Sequence, residues 1–256
     1  MQQDNLEFWK NQALKYKNNI KAVNFDSNSE ELEKLFLEKY IPDNKIVCDF
    51  GCGNGLNIIN LAKQRPKSIF YGIDAVKEMI ENANSQIQSL QNIKFLNLSA
   101  TDNLSDKLQI KFDIIISKRL LINLKGDLKY KAINNIYKCL KQDGMYIMME
   151  AFIEPLEKIN KLRAALNLEP IQVHHFNEYL KNEFLDDIKD KFKIKEICDF
   201  NSIYYFISRV LNAANSSPNN PSYDSKLNQI ALALSKTENL KIDGLSPEIM
   251  YIFKKL

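Results

Sequence analysis

A chain of 256 residues is long enough to bury a full core and fits one large domain with additions. Its 35 basic and 32 acidic residues leave a net charge of +3 without any basic block, which disfavours a dedicated nucleic-acid binder. The first residues are polar and acidic, unlike a signal peptide, and no stretch approaches the roughly twenty apolar residues of a membrane span, so a cytoplasmic protein without a membrane partner is expected.

Residues 1–44 read as two helices, one carrying Phe8, Trp9, Leu14, Tyr16 and Ile20, the next running from Ser29 to Tyr40 with Pro42 behind it. From residue 45 to about 150, apolar runs alternate with amphipathic helical patterns. Strands are predicted at 45–50, 68–74, 93–99, 112–117 and 144–150, with helices near 55–65, 76–91 and 126–141. That alternation is the signature of a parallel sheet with crossover helices. Beyond Glu150 it breaks. A helix from Pro155 to Asn167 is stopped by Pro170, His174-His175 follows, and another helix reaches about Lys191. Lys193 to Arg209 begins as a strand, with Tyr204-Tyr205-Phe206 strand-like. Residues 215–221 form the plainest loop, a helix lies near 223–236, and Glu248 to Lys254 is the last strand. The expected architecture is α/β, a doubly wound, mostly parallel, seven-stranded Rossmann-like sheet with an N-terminal helical lid. Its parts are a cap (1–44), a cofactor-binding core (45–150) and substrate-shaping insertions after strands five and six (151–256). Cys48, Cys52, Cys139 and Cys198 form no C-x-x-C, so no metal site is expected.

The chemistry concentrates where strands end. Val47-Cys48-Asp49-Phe50 runs into Gly51-Cys52-Gly53-Asn54-Gly55 and then into a helical pattern. Alternate glycines suit a loop that needs unusual backbone angles and room for a ligand, and amides at a helix start attract one. Asp74, closing the second strand, is placed to accept two ribose hydroxyls. Polar groups also stand at the ends of the later strands, at Ser99, Ser117-Lys118-Arg119 and Glu150, and together they outline one crevice.

The Asp49-x-Gly51-Cys52-Gly53-x-Gly55 loop, followed by Asp74-Ala75 with Met79 and Ala83, resembles the first two motifs of class I S-adenosylmethionine-dependent methyltransferases. The resemblance implies that Asp49, Gly51, Cys52, Gly53, Asp74, Ala75, Met79 and Ser117 bind that cofactor, and that the first helix covers it. Ser99-Ala100 falls where the family often reads Asp-Ala, which leaves the adenine-edge contact weaker. Ser117-Lys118-Arg119 replaces the Asp/Asn-Pro-Pro-aromatic run of enzymes that methylate base amines, so nucleic-acid bases are disfavoured acceptors. Segments from Arg119 to Leu124 and from Met149 to Arg163 also look similar to a bacterial subgroup of surface-polysaccharide, or capsule, biosynthesis enzymes.

Arg119, Asn123, Glu150 and Arg163 are candidates for the acceptor pocket, and either His174 or His175 is a candidate base for an alcohol acceptor. Blander roles stand beside these: Arg163 on a solvated helix face, Glu150 or Asp113 balancing Arg119, and histidines at a helix entry. The expected activity is methyl transfer from S-adenosylmethionine to an oxygen of a small, anionic, phosphorylated or nucleotide-linked metabolite, by a monomer or homodimer. An RNA or protein methyltransferase and a cofactor-binding pseudoenzyme are the alternatives, while the glycine spacing disfavours an NAD-dependent oxidoreductase.

Overall fold

Seven strands lie in one sheet in the order β3-β2-β1-β4-β5-β7-β6, in a computed structural model that describes residues 2–237 and 240–256. The first five are Ile46–Phe50 (β1), Ile69–Asp74 (β2), Ile93–Asn97 (β3), Phe112–Lys118 (β4) and Leu140–Ala151 (β5). They pair in parallel. Glu248–Lys255 (β7) inserts antiparallel between β5 and Phe192–Cys198 (β6). The strand order reverses at β1, with β2 on one side and β4 on the other, and this opens a crevice at the carboxyl ends of those strands, which is where open α/β sheets bind ligands.

Both faces of the sheet are apolar because neighbouring strand residues point opposite ways. Phe50, Ile115 and Tyr146 meet Ile133 and Ile136 of α6 (Asp127–Cys139) and Leu104 of α5 (Leu104–Leu108) on one face. Val47, Ile114 and Ile147 meet Leu32 of α2 (Ser27–Glu38), Ile58 and Leu61 of α3 (Leu56–Gln64), and Ile80 of α4 (Lys77–Asn84) on the other. Fully burying each such side chain stabilises by about 1.5–3 kcal/mol. The first helix, α1 (Gln2–Tyr16), lies outside both layers, packing Ala13 on Val76 and Met79.

The expected fold is present, with local corrections. Tyr204-Tyr205-Phe206 is helical, in α9 (Ser202–Phe206), which continues through a π-form turn, Ile207–Leu211, into α10 (Asn212–Ser216). Its aromatics mimic a strand run, but Tyr204 is buried in a helix-to-sheet contact and Arg209 is drawn to Asp26. The helix expected to reach Lys191 is only Glu183–Asp187 (α8), and α4 ends at Asn84. The helix after β5, α7, spans Ile153–Ala165, and α11 spans Lys226–Ser235. No helix among the described residues is long and apolar enough to cross a membrane.

Candidate functional site

A cavity of about 540 Å³ sits at the carboxyl ends of β1, β2 and β4. Its floor is the glycine loop. The amides of Gly51 and Cys52 both donate to the carbonyl of Ile73, at 2.8 and 3.0 Å, folding the loop across the neighbouring strand. Gly53 has φ +54°, and a Cβ there would lie 2.7 Å from Val23 Cγ1, so any side chain would collide with the segment after α1. The Gly53 amide donates to Asp74 Oδ2 at 2.9 Å, and the Val76 amide donates to Asp74 Oδ1 at 2.8 Å. Two motifs separated in sequence are thereby stitched into one wall. Burial raises the Asp74 carboxyl above its usual range, although those two amides pull the other way.

Asp49 is the anomaly of this floor. It is 6% exposed, lines the cavity, and its Oδ1 finds no hydrogen-bond partner among the described residues. Burial pushes its carboxyl up to about 7, with Lys118 acting in the opposite sense. A buried carboxylate oxygen left unpaired costs about 1–3 kcal/mol or more, so this atom is poised for a cationic ligand group. The far end of the cavity is polar: Ser99 Oγ and Thr101 Oγ1 lie 2.9 Å apart, and Asp102 Oδ2 accepts from the Ser99 amide at 3.3 Å and from Lys107 Nζ at 2.7 Å. Asp102 brings to this end the carboxylate that Ser99 lacks, a residue missed in sequence because it falls three positions later. An unpaired acid at the loop, two aligned acceptors on Asp74 and a polar far wall fit the ammonium, ribose and base of S-adenosylmethionine.

The roof is α1. Asn5, Leu6 and Trp9 line the same cavity. Asn5 Nδ2 donates to the Asn123 carbonyl at 2.8 Å, and Trp9 Nε1 donates to Asn123 Oδ1 at 3.1 Å. Asn123 Nδ2 in turn donates to the Arg119 carbonyl at 2.6 Å, tying the lid to the end of β4.

Beside it lies a second cavity of about 270 Å³ that shares Trp9, Val23 and Arg119 with the first. Phe8, Phe25, Phe176, Tyr205 and Tyr223 supply aromatic surface, and Gln12, Asp26, His174, Asn177, Arg209 and Glu248 supply polar groups. Arg209 is held between the Tyr205 and Tyr223 rings, 5.0 and 4.8 Å from their centroids, with Nη2 2.6 Å from Asp26 Oδ2. The π-form turn aims it there, as widened turns at functional sites tend to do. His174 stacks on Phe176 at 5.3 Å with rings 7° from parallel.

The predicted cofactor residues Asp49, Gly51, Cys52, Gly53, Asp74, Ala75, Met79, Ser99 and Ala100 all line the larger cavity. Ser117 does not; it is buried, with its Oγ 2.7 Å from the Tyr146 hydroxyl. The acceptor candidates need more correction. Glu150 is fully buried and caps the turn after β4, accepting from the amides of Leu120 and Leu121 at 2.9 Å each and of Ile122 at 3.3 Å. Arg163 lines neither cavity, since its Nε donates to the Glu169 carbonyl at 2.8 Å and its Nη1 to the Arg209 carbonyl. His175 also lines neither, packing edge-on against Phe176. Asn123 lines the larger cavity and serves the lid.

Arg119 lines both cavities but is already engaged. Its Nη1 is 3.0 Å from Glu248 Oε1 and also pairs with Glu33, and its Nη2 is 3.2 Å from Glu30 Oε2. Lys118 pairs with Glu30 and lies 2.7 Å from Glu33 Oε2. Neither Glu150 nor Asp113 is the neutraliser; Asp113 pairs with Lys141 at 2.9 Å. Three carboxylates therefore surround two cations. Burial outweighs the cations at Glu33 and raises its carboxyl, whereas at Glu30 Lys118 and Arg119 overcome burial and hold it well below the usual range. These glutamates come from α2 and β7, too far in sequence for any spacing to have shown them.

A family model described as a methyltransferase domain matches residues 41–213. Carboxy-S-adenosyl-L-methionine synthase of Nautilia profundicola is 25% identical over 185 residues, 69% of this chain and 75% of that protein. Ribosomal protein L11 methyltransferase of Thermoanaerobacter pseudethanolicus is 28% identical over 127 residues, 48% of this chain and only 38% of that protein. Among solved structures, the N-methyltransferase NodS of Bradyrhizobium japonicum, in complex with S-adenosyl-L-homocysteine, aligns over 98% of this chain and 99% of its own with TM-score 0.60 and 12% identity, a likeness of fold.

Proposed function

Since the chain belongs to the methyltransferase domain family and is a class I S-adenosylmethionine-dependent methyltransferase, we propose that it methylates an oxygen of a small molecule seated in the smaller cavity. The observation that carries this is the shared wall: Trp9, Val23 and Arg119 face both cavities, so cofactor side and acceptor side meet there. When bound, S-adenosylmethionine supplies a methyl group activated on a sulfonium. The protein supplies alignment, which is worth on the order of 7–11 kcal/mol at best.

Asp49, through its unpartnered Oδ1, pairs with the ammonium end above the floor that Gly51, Cys52 and Gly53 form. Asp74 accepts from the ribose hydroxyls, with its carboxylate already fixed by the Gly53 and Val76 amides. Leu6 and Trp9 of α1 exclude water from above. His174 faces the acceptor cavity and takes the hydroxyl proton on its imidazole, with Phe176 orienting the ring.

An anionic acceptor was expected on the strength of Arg119 and Arg163. Both have their donors engaged inside the protein, so the acceptor proposed here carries no phosphate. A phosphate-free sugar unit of a surface polysaccharide falls within this class, on the resemblance of the segments after strands four and five alone. The names of the relatives point to different reactions and do not choose an acceptor. The test is a methyl-transfer assay that reads S-adenosylhomocysteine release across small-molecule alcohols. His174→Ala should lower kcat by about 100-fold with cofactor affinity unchanged; turnover confined to protein or RNA, or a parental rate in His174→Ala, contradicts the proposal.

A further inference from the structure

We infer that the smaller cavity is built for an uncharged, hydroxyl-rich ring, in preference to an anion or an amine; the inference rests on the assignment of that cavity to the acceptor. Two buried amide oxygens, Gln12 Oε1 and Asn177 Oδ1, have no hydrogen-bond partner among the described residues, and both side chains line this cavity. They come from separate elements. Gln12 belongs to α1, and Asn177 follows α7 in a loop fixed by its own amide, which donates to the His174 carbonyl at 2.8 Å. Buried polar groups in native proteins are satisfied, so two orphans on residues that wall one cavity call for a ligand that satisfies them.

The charges of the cavity narrow the class. Arg119 is neutralised by Glu30 and Glu248, and Glu33 takes up a further donor. Arg209 is neutralised by Asp26 and also donates to Ser208 Oγ at 2.7 Å. Lys21 stands at the exposed rim. An anion entering here meets guanidinium donors already committed, and an ammonium meets carboxylates already paired. Stripping water from either charge then goes uncompensated. A hydroxyl escapes both costs. It donates to an amide oxygen, and it also accepts from an amide nitrogen, so the side-chain amides of Gln12 and Asn177 serve it in either orientation. The apolar C–H faces of a ring pack on Phe8 and Phe176, whose centroids are 4.6 Å apart.

Saturation-transfer NMR on the protein loaded with S-adenosylhomocysteine tests this directly. The probes are the methyl glycosides of glucose, galactose and mannose, with glucose 6-phosphate and glucosamine as charged counterparts. At least one neutral glycoside should bind, and its charged counterparts should bind at least about tenfold more weakly. Gln12→Met and Asn177→Leu should each weaken the glycoside about tenfold while leaving S-adenosylhomocysteine affinity at the parental value, which also reports that each variant is folded. Three results overturn the inference: the phosphate or the amine binding best, no neutral glycoside binding at all, or both variants binding the glycoside as the parent does. Loss of S-adenosylhomocysteine binding in the parent is a different failure, and it contradicts the methyl-transfer assignment itself.

Discussion

Asp49 and Asp74 sit at the ends of neighbouring strands, β1 and β2, and the roles proposed for them differ. Asp74 offers oxygens held in place by two amides, so the contribution proposed for it in cofactor binding is geometric. Asp74→Ala removes the ribose acceptor and frees the Gly53 amide, and should weaken S-adenosylmethionine binding by about 1.5–3 kcal/mol, read by calorimetry. The contribution proposed for Asp49 is through charge, and its charge is conditional because burial raises its carboxyl to about 7. Pairing with a cationic ammonium requires that this proton leave. Cofactor affinity should therefore strengthen as pH rises through about 7 and weaken below it, while Asp49→Asn binds weakly with a flat profile. A titration series from about pH 6 to pH 8 decides it, and an affinity in the parent that falls with pH contradicts the role.

At the scale of elements, the end of β4 is held by side chains from elsewhere. Arg119 adopts φ +52°, a left-handed angle disfavoured for a residue with a side chain. Its amide donates to the Met149 carbonyl at 2.9 Å, and Glu150 caps the following turn with three amide bonds. Glu150→Ala should cost roughly 3 kcal/mol of folding stability in a denaturant titration, because buried amides lose their acceptor. Asn123→Ala should release the lid, since it deletes the acceptor for Trp9 and the tie to the Arg119 carbonyl. Faster amide exchange confined to α1, and weaker cofactor binding, are the expected readouts. The sheet itself was legible in the sequence because each of the first five strands is an apolar run ending in a polar residue. Tyr204-Tyr205-Phe206 was not: three aromatics in a row satisfy a strand pattern, and only the pull of Asp26 on Arg209 and Tyr204 shows why they wind as a helix. Glu150 looked like a ligand for the same reason as Asp74, a carboxylate at a strand end, yet the turn after β4 folds its amides onto it.

For the molecule as a whole, the larger cavity could be read from local motifs and the smaller one, proposed for the acceptor, could not. Glycines and acids within about thirty residues carry the first, whereas Gln12, Asn177, Arg209 and Glu248 converge from four distant segments. Burying so many acids also shapes stability. Asp49 and Glu150, raised to about 7, and Glu33, raised by burial, keep protons when folded that the unfolded chain has released above about pH 4. The folded state then binds more protons in that window, so stability is full below it and falls as pH rises toward 7 and beyond. Glu30 and Asp113 act oppositely, being held low, and their contribution disappears only in acid. The melting temperature of the cofactor-free protein should thus decline between about pH 5 and pH 8, and S-adenosylmethionine should stabilise more at the alkaline end. The most direct measurement is calorimetric titration of the parent and of Asp74→Ala with S-adenosylmethionine. Saturable one-to-one binding to the parent, weakened at least about tenfold in Asp74→Ala, is the predicted result. Absence of saturable binding to the parent, or equal affinity in the two proteins, would contradict the cofactor site described above.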